Sequence, residues 1–566
     1  MVYNRPRFKS YNGFTTVYDP LELFRDRGCV TIENVKGKPL QTATGRVYSA
    51  AGHISSKTLD FSDQTTGNTT FLQWTSIPSI RKSFMSTDTE NKPRPPKGYV
   101  PPVRDIEKIY EDDSKSAEDY SKVGDYDEAL DVYGVDTMTT MDCWKSLPPV
   151  LAENIALAKY PSPRQIQRVA VPLIIEGMDV VACTETGSGK TLAFLLPIIV
   201  KCMNDKKSGA FVSQELTPYA LVICPTRELA HQLFEQASKL IQTSKLIQNT
   251  GITAAKMYGE YAFLPNSHEL VRGCDIIFCT PGRLHHFYKE QYVNFRCLRF
   301  LVFDEADLLL GEAEFMDDLD PVIKDSNFSL KTHYQAIFFS ATFSSKLLDA
   351  STSYMRTRFS AIICSKKCAT NKLCLQQFQR VEKDEKFTTL VEILNNRFAE
   401  VDVSRYPRTI IFVNSRVLCH ELTQKLLEIG LPATRISGNY AQNERIDSLY
   451  DFRNGVSPIL VTTDLFSRGL DIKDVDLVLN YELPWHIGGY IYRVGRVGRV
   501  KLGESLTFID PTYDKQIVLD ILQLLQVAHH PVSCYLDEIV EEVKVNMAKE
   551  KESNFIFFDD DNKGDA

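Results

Sequence analysis

Val180-Val-Ala-Cys-Thr184-Glu-Thr-Gly-Ser-Gly-Lys-Thr191 is the stretch that decides the fold. Its opening apolar residues make a short strand buried on both faces, and the apolar run Leu192 to Ile199 that follows carries a helical pattern. Between them, Gly187 and Gly189 let backbone N–H groups converge at a helix N-terminus, which is how a loop cradles phosphates. Lys190 reaches terminal phosphates, the Thr191 hydroxyl can ligate Mg²⁺, and Thr186, Gly187, Ser188 and Gly189 line the loop. Thr184 stands where glycine usually opens this pattern.

Outward from this loop, apolar runs alternate with helical patterns: Ala220-Leu-Val-Ile-Cys224, Ile276-Ile-Phe-Cys279, Phe300-Leu-Val-Phe303 and Ala336-Ile-Phe-Phe339. Short continuous apolar strands separated by helices predict a parallel sheet covered on both faces. The texture restarts after a polar stretch, with strands at Thr409-Ile-Ile-Phe-Val413, Ile459-Leu-Val461 and Leu477-Val-Leu479. Two α/β domains joined by a short linker are expected, residues 135–364 and 377–530 with the linker at 365–376. Residues 1–134, with the proline-rich Lys92 to Pro102 and the acidic run Glu111 to Asp131, read as a largely extended or disordered arm. Residues 531–566, ending in Phe555-Ile-Phe-Phe-Asp-Asp-Asp561, read as a short acidic tail. The arm and the tail are the candidate docking segments for protein partners.

Composition narrows the functions. No apolar run is long enough to cross a membrane, and the first twenty residues carry no apolar stretch of signal type. The thirteen cysteines include no Cys-x-x-Cys pair, and Cys364, Cys368 and Cys374 are irregularly spaced without a nearby histidine, so free thiols in a reducing cytosolic or nuclear compartment are expected. A net charge of −8 excludes coating nucleic acid by bulk electrostatics. Contact with nucleic acid must be local and shaped.

A second strand ends in Asp304-Glu-Ala-Asp307, placing carboxylates at the C-terminal edge of the sheet, where ligands bind in such folds. Asp304 is placed to hold Mg²⁺ and Glu305 to orient or deprotonate an attacking water. With the phosphate loop, these residues resemble the DEAD-box RNA helicases. The resemblance covers about residues 144 to 515 in unbroken motif order: Tyr160-Pro-Ser-Pro-Arg-Gln-Ile-Gln167, Pro225-Thr-Arg-Glu-Leu-Ala230, Thr280-Pro-Gly-Arg283, Ser340-Ala-Thr342, Gln442 with Arg445, Thr463 through Asp471, and Tyr492-Arg-Val-Gly-Arg-Val-Gly-Arg499.

The resemblance implies two tandem RecA-like domains that close on ATP, Mg²⁺ and single-stranded RNA together. It places adenine on Tyr160 and Gln167, the ribose on Asp471, arginine fingers at Arg496 and Arg499, and the coupling of hydrolysis to RNA on Ser340, Thr342 and Tyr492. It assigns RNA to Thr226, Arg227, Gly259, Thr280, Gly282 and Arg283 from the first domain. Asn414, Arg416, Gly438, Arg445 and Thr463 come from the second. Glycines, hydroxyls and a few arginines suit backbone contacts without base reading. Two departures stand out: Tyr492 replaces a histidine, and Glu260 follows Gly259 where a second glycine is usual, adding negative charge beside a phosphate path. Tyr99-Val-Pro-Pro102 and Asp125-Tyr-Asp127 resemble the Vasa and Belle branch, which is associated with translation, germ granules and small-RNA silencing. That implies cytoplasmic, perinuclear ribonucleoprotein granules. An RNA-stimulated ATPase that separates strands or remodels ribonucleoprotein is the expected activity, and an ATP-gated RNA clamp with little unwinding is the alternative.

Overall fold

The computed structural model describes residues 29–32, 42–43, 110, 129–135, 138–241, 250–325, 328, 330–364, 373–399, 406–464, 475–498, 501–527 and 536–545. Within them the predicted apolar runs are strands, each buried along its whole length: β4 (Asp179–Cys183), β5 (Ala220–Ile223), β7 (Ile276–Cys279), β8 (Phe300–Asp304) and β9 (Gln335–Ser340). With β6 (Ala254–Met257) and β10 (Phe359–Cys364) they form one parallel sheet in the order β10-β4-β9-β8-β5-β7-β6. Side chains alternate across a strand, so one sheet feeds two cores. Val180, Ala182 and Phe339 pack on one face, Val181 and Phe338 on the other.

β1 (Cys29–Ile32), β2 (Thr42–Ala43) and β3 (Leu130–Tyr133) extend this sheet, and all three fall within the expected arm. β3 runs antiparallel against β10 and β1 against β3, so part of the arm completes the sheet edge. Tyr110 is buried as well, its hydroxyl donating to the Lys239 carbonyl at 2.5 Å. The sequence motifs at Lys92–Pro102, Asp125–Asp127 and Phe555–Asp561 lie outside the described residues.

The second sheet is wholly parallel, β11-β16-β15-β12-β14-β13. Its strands are β11 (Cys374–Arg380), β12 (Thr409–Phe412), β13 (Ala433–Ile436), β14 (Ile459–Thr462), β15 (Leu477–Asn480) and β16 (Gly503–Ile509). β11 begins inside the stretch expected as linker. As an edge strand it buries only Cys374 and Phe378 and lacks the continuous apolar run that marks its neighbours. A helix at 536–545, within the expected tail, buries Leu536, Ile539, Val540 and Val543 in the second domain's core. Among the described residues no helix is long and apolar enough to cross a membrane, and no cluster of His, Cys, Asp or Glu can hold a metal by itself.

The helices that position the site are α1 (Gln165–Ile175), α2 (Lys190–Ser208), α3 (Arg227–Ile241), α4 (Pro281–Lys289) and α5 (Ala306–Gly311) in the first domain. In the second they are α6 (Gln442–Arg453), α7 (Ile487–Val494) and α8 (Lys515–Val527).

Candidate active site at the domain boundary

The phosphate loop turns from β4 into α2 through Gly187 and Gly189, both in the left-handed region at φ 82° and 94°. A Cβ on Gly189 would sit 2.4 Å from Gln167 Nε2, so glycine there is required by space as well as by conformation. Gln167 braces the loop by donating to the Gly189 carbonyl at 3.0 Å, and Arg164 donates to the Gly187 carbonyl at 2.6 Å. The Thr184 hydroxyl lies 2.8 Å from that of Ser188, and Lys190 Nζ donates to the Thr184 carbonyl at 3.2 Å. Thr184 therefore closes the loop by its own hydrogen bonding. Tyr160 is half-buried, its hydroxyl accepting from Lys239 at 3.2 Å and receiving the Nε1–H of Trp144 on its carbonyl.

Asp304 ends β8 and Glu305 follows it into the same cleft, both buried. Burial, and then the Glu305 charge beside it, push the Asp304 carboxyl up, while Lys190 pulls it back down. A carboxylate so placed is relieved by a divalent cation. Glu305 is held at φ 56°, a left-handed conformation that costs a non-glycine residue roughly 1–2 kcal/mol. Its Oε2 is buried and has no hydrogen-bond partner among the described residues. An orphaned carboxylate oxygen beside a phosphate loop is what holding a water requires. One carboxylate and the Thr191 hydroxyl also suit Mg²⁺, which keeps several waters and takes few protein ligands.

The second domain meets this cleft. Tyr492, fully buried on α7, lies with its hydroxyl 2.7 and 2.8 Å from the two Asp307 carboxylate oxygens and accepts the Ala341 N–H at 3.3 Å. Asp307 also accepts the Thr342 hydroxyl at 2.5 Å, and the Ser340 hydroxyl donates to the Thr342 carbonyl at 2.8 Å. The tyrosine thus ties the acidic motif to Ser340-Ala-Thr342 from across the boundary. Thr186 donates to the Gly495 carbonyl at 3.1 Å, and a Cβ on Gly495 would come within 2.2 Å of that hydroxyl. Arg496 is buried one residue on, its Nε donating to the Tyr492 carbonyl. Arg499 and Asp471 lie outside the described residues.

Of the residues expected to contact RNA, Arg445 and, through Glu260, Arg227 are linked across this boundary, and several others have structural duties within their own domains. Thr226 caps α3, accepting the Leu229 N–H at 3.2 Å, and Thr280 is the N-cap residue of α4. Arg283 donates to the Tyr258 and Tyr261 carbonyls, bracing the loop that holds Gly259. A Cβ on Gly282 would stand 3.1 Å from Asp318, and one on Gly438 would stand 3.3 Å from the Arg416 guanidinium. Arg416 reaches Asn439 at 3.1 Å, and Thr463 is buried after β14. Asn414 donates to the Leu483 carbonyl and accepts from Arg493, whose guanidinium is buried between Asp464 and the Glu482 carbonyl. Arg445 pairs with Glu228 at 3.2 Å in a nearly dry contact, and Gln442 Nε2 donates to the same carboxylate at 2.8 Å. Glu228, Gln442, Asp307 and Arg493 all stood inside the quoted motifs, but only spatial pairing reveals their work.

Residues 164–350 match the DEAD/DEAH box helicase family, and residues 385–501 match the helicase conserved C-terminal domain. The rice (Oryza sativa subsp. japonica) DEAD-box ATP-dependent RNA helicase 52A is 32% identical over 74% of this chain and 70% of its own length. The chain belongs to the DEAD-box helicase family. Among other DEAD-box relatives, the ATP-dependent RNA helicase vasa of Drosophila melanogaster is 33% identical over 77% of this chain and 63% of its own. The branch expected from the sequence is therefore represented among its relatives. This DEAD-box chain spans only 48% of glh-1 of Caenorhabditis elegans, which is 35% identical to it over 64% of this chain. The DEAD-box helicase Mss116, solved bound to single-stranded RNA and UDP-BeF, is 25% identical, with a TM-score of 0.60 over 72% of this chain and 84% of that one.

Proposed function

We propose that this chain is an ATP-dependent RNA helicase, whose RNA-stimulated ATP hydrolysis drives local strand separation or ribonucleoprotein remodelling. The observation that carries the reading is the orphaned Glu305 oxygen, lodged beside the phosphate loop where Tyr492 of the second domain reaches Asp307. Glu305 holds the attacking water and takes its proton as the water oxygen bonds to the γ-phosphorus and the bond to ADP breaks. Lys190 and the loop amides hold the phosphates, and Tyr160 and Gln167 hold adenine. Asp304 and Thr191 would hold Mg²⁺, which when bound neutralises charge on the β- and γ-phosphate oxygens. Arg496 and Arg499, with Asp471 on the ribose, act from the second domain, so turnover requires closure. RNA lies along the surface from Thr226, Arg227, Gly259, Thr280, Gly282 and Arg283 to Asn414, Arg416, Gly438, Arg445 and Thr463, held by its backbone. Ser340, Thr342 and Tyr492 report closure to the acidic motif. Residence in cytoplasmic ribonucleoprotein granules and work in RNA silencing follow from the branch resemblance read in the sequence, with protein partners taken by the arm or tail.

The test is ATP turnover with and without single-stranded RNA, beside separation of a short duplex. Stimulation with separation supports the helicase. Stimulation without separation replaces it with an ATP-gated RNA clamp, and no turnover in either condition overturns both.

A further inference from the structure

Glu260 occupies a position that costs conformation, and its carboxylate is used at both oxygens. The residue sits at φ 64° in the loop that Arg283 braces through the carbonyls of Tyr258 and Tyr261. Oε1 accepts Arg227 Nη1 at 2.5 Å, within the first domain. Oε2 accepts the Gln442 N–H at 3.0 Å, at the start of α6 in the second. Burial works against this charge, but the Arg227 hydrogen bond and charge, the Gln442 N–H and Arg445 outweigh it, and the carboxyl is held below its usual range. Gly259 beside it leaves room for the guanidinium, since a Cβ there would stand 3.0 Å from Arg227 Nη2. A carboxylate between an arginine of one domain and a helix-start amide of the other makes the contacts of a backbone phosphate lying across the boundary. Left-handed conformations at non-glycine residues persist where the surroundings over-determine them.

We propose that Glu260 is a positioning residue that stands in for one RNA phosphate, holding the two domains together before RNA arrives and competing with RNA for Arg227. The RNA half of this statement rests on the proposed function; the closure half does not. In the full chain with AMP-PNP and no RNA, Glu260→Gln removes the charge at nearly constant size, and Glu260→Asp keeps it. The closed-to-open ratio, read by small-angle X-ray scattering, is expected to fall about fivefold in Glu260→Gln, the scale of a half-exposed ion pair, and to recover at least partly in Glu260→Asp. RNA-free ATP turnover should fall in parallel. Binding of a fluorescent oligo(U) should tighten in Glu260→Gln, and its log Kd against log salt should steepen by about 0.7, one further phosphate paired with a freed cation. Unchanged scattering and RNA-free turnover in Glu260→Gln would overturn the closure role. Reduced closure with unchanged RNA affinity and salt slope would overturn the phosphate role. A wild-type chain that neither binds oligo(U) nor hydrolyses ATP would overturn the helicase reading and the phosphate role with it, while the scattering still decides the closure role.

Discussion

Glu305 and Tyr492 show how differently single residues reveal themselves. Glu305 stood out in the sequence because a strand ending in Asp-Glu beside a phosphate loop has few other uses, and in the structure its Oε2 is buried without a hydrogen-bond partner among the described residues. Glu305→Gln is expected to keep ATP and RNA binding while slowing turnover at least about a hundredfold, the scale of a general base or water-positioning group. Single-turnover hydrolysis with saturating RNA measures this, and unchanged turnover would place water activation elsewhere. Tyr492, by contrast, read only as a departure from the histidine that the resemblance implies at this position. The structure shows its phenol reaching Asp307 and Ala341, a span that depends on the length of the ring and therefore on the approach of α7. Tyr492→Phe keeps the ring and deletes the contacts of its hydroxyl. It is expected to lower RNA-stimulated kcat about tenfold, the scale of one charge-assisted hydrogen bond, with the KM for ATP nearly unchanged. Equal kcat in the two proteins would show that the hydroxyl only fills space.

Among elements, continuous apolar strands declared themselves and edge strands did not. β4, β5, β7, β8 and β9 are buried along their lengths, so hydrophobic runs mark them, whereas β11 is half polar because it lies at an edge and β6 carries the buried Lys256. Desolvation lowers that lysine to about 8, with Glu269 and Glu235 opposing the shift. The helix at 536–545 was missed although Leu536, Ile539, Val540 and Val543 follow the three-four spacing of an amphipathic helix. The acidic residues around them dominate the composition and read as a solvated tail. These side chains complete the core made by Ile517, Val518, Ile521, Leu524 and Leu525 of α8. A fully buried aliphatic side chain contributes about 1.5–3 kcal/mol. A chain ending at residue 530 is expected to lose at least roughly 10 °C from the melting of its second domain, following the usual conversion of free energy to Tm. Scanning calorimetry checks this, and an unshifted transition would mean that the helix only rests on the core.

At the scale of the whole molecule, motif order along the chain told which residues belong to one machine but not how the two halves grip each other. Among the described residues, contacts that cross the boundary include Thr186 to Gly495, Asp307 and Ala341 to Tyr492, Glu228 to Arg445 and Gln442, and Glu260 to the Gln442 amide. No periodicity or spacing marks such pairs, because each partner is an ordinary polar residue within its own domain. They lead to the prediction that ATP and RNA act on one closure equilibrium. If nucleotide favours the closed state through the loop ending at Thr191, and RNA favours it by bridging both domains, each must tighten the other's binding by the same factor, about 5–150-fold for typical couplings. Glu260 already pays part of the cost of closing, which lowers that factor without removing it. Arg499→Ala should then cut turnover on the order of a thousandfold, as loss of an arginine finger does, with a smaller effect on ATP affinity, since in the proposed site the first domain holds most of the nucleotide. Each domain expressed alone should lack RNA-stimulated turnover. Titrating AMP-PNP with and without oligo(U), and oligo(U) with and without AMP-PNP, measures the two factors independently. Equal affinities in the presence and absence of the other ligand, together with an active isolated first domain, would show that hydrolysis does not depend on closure.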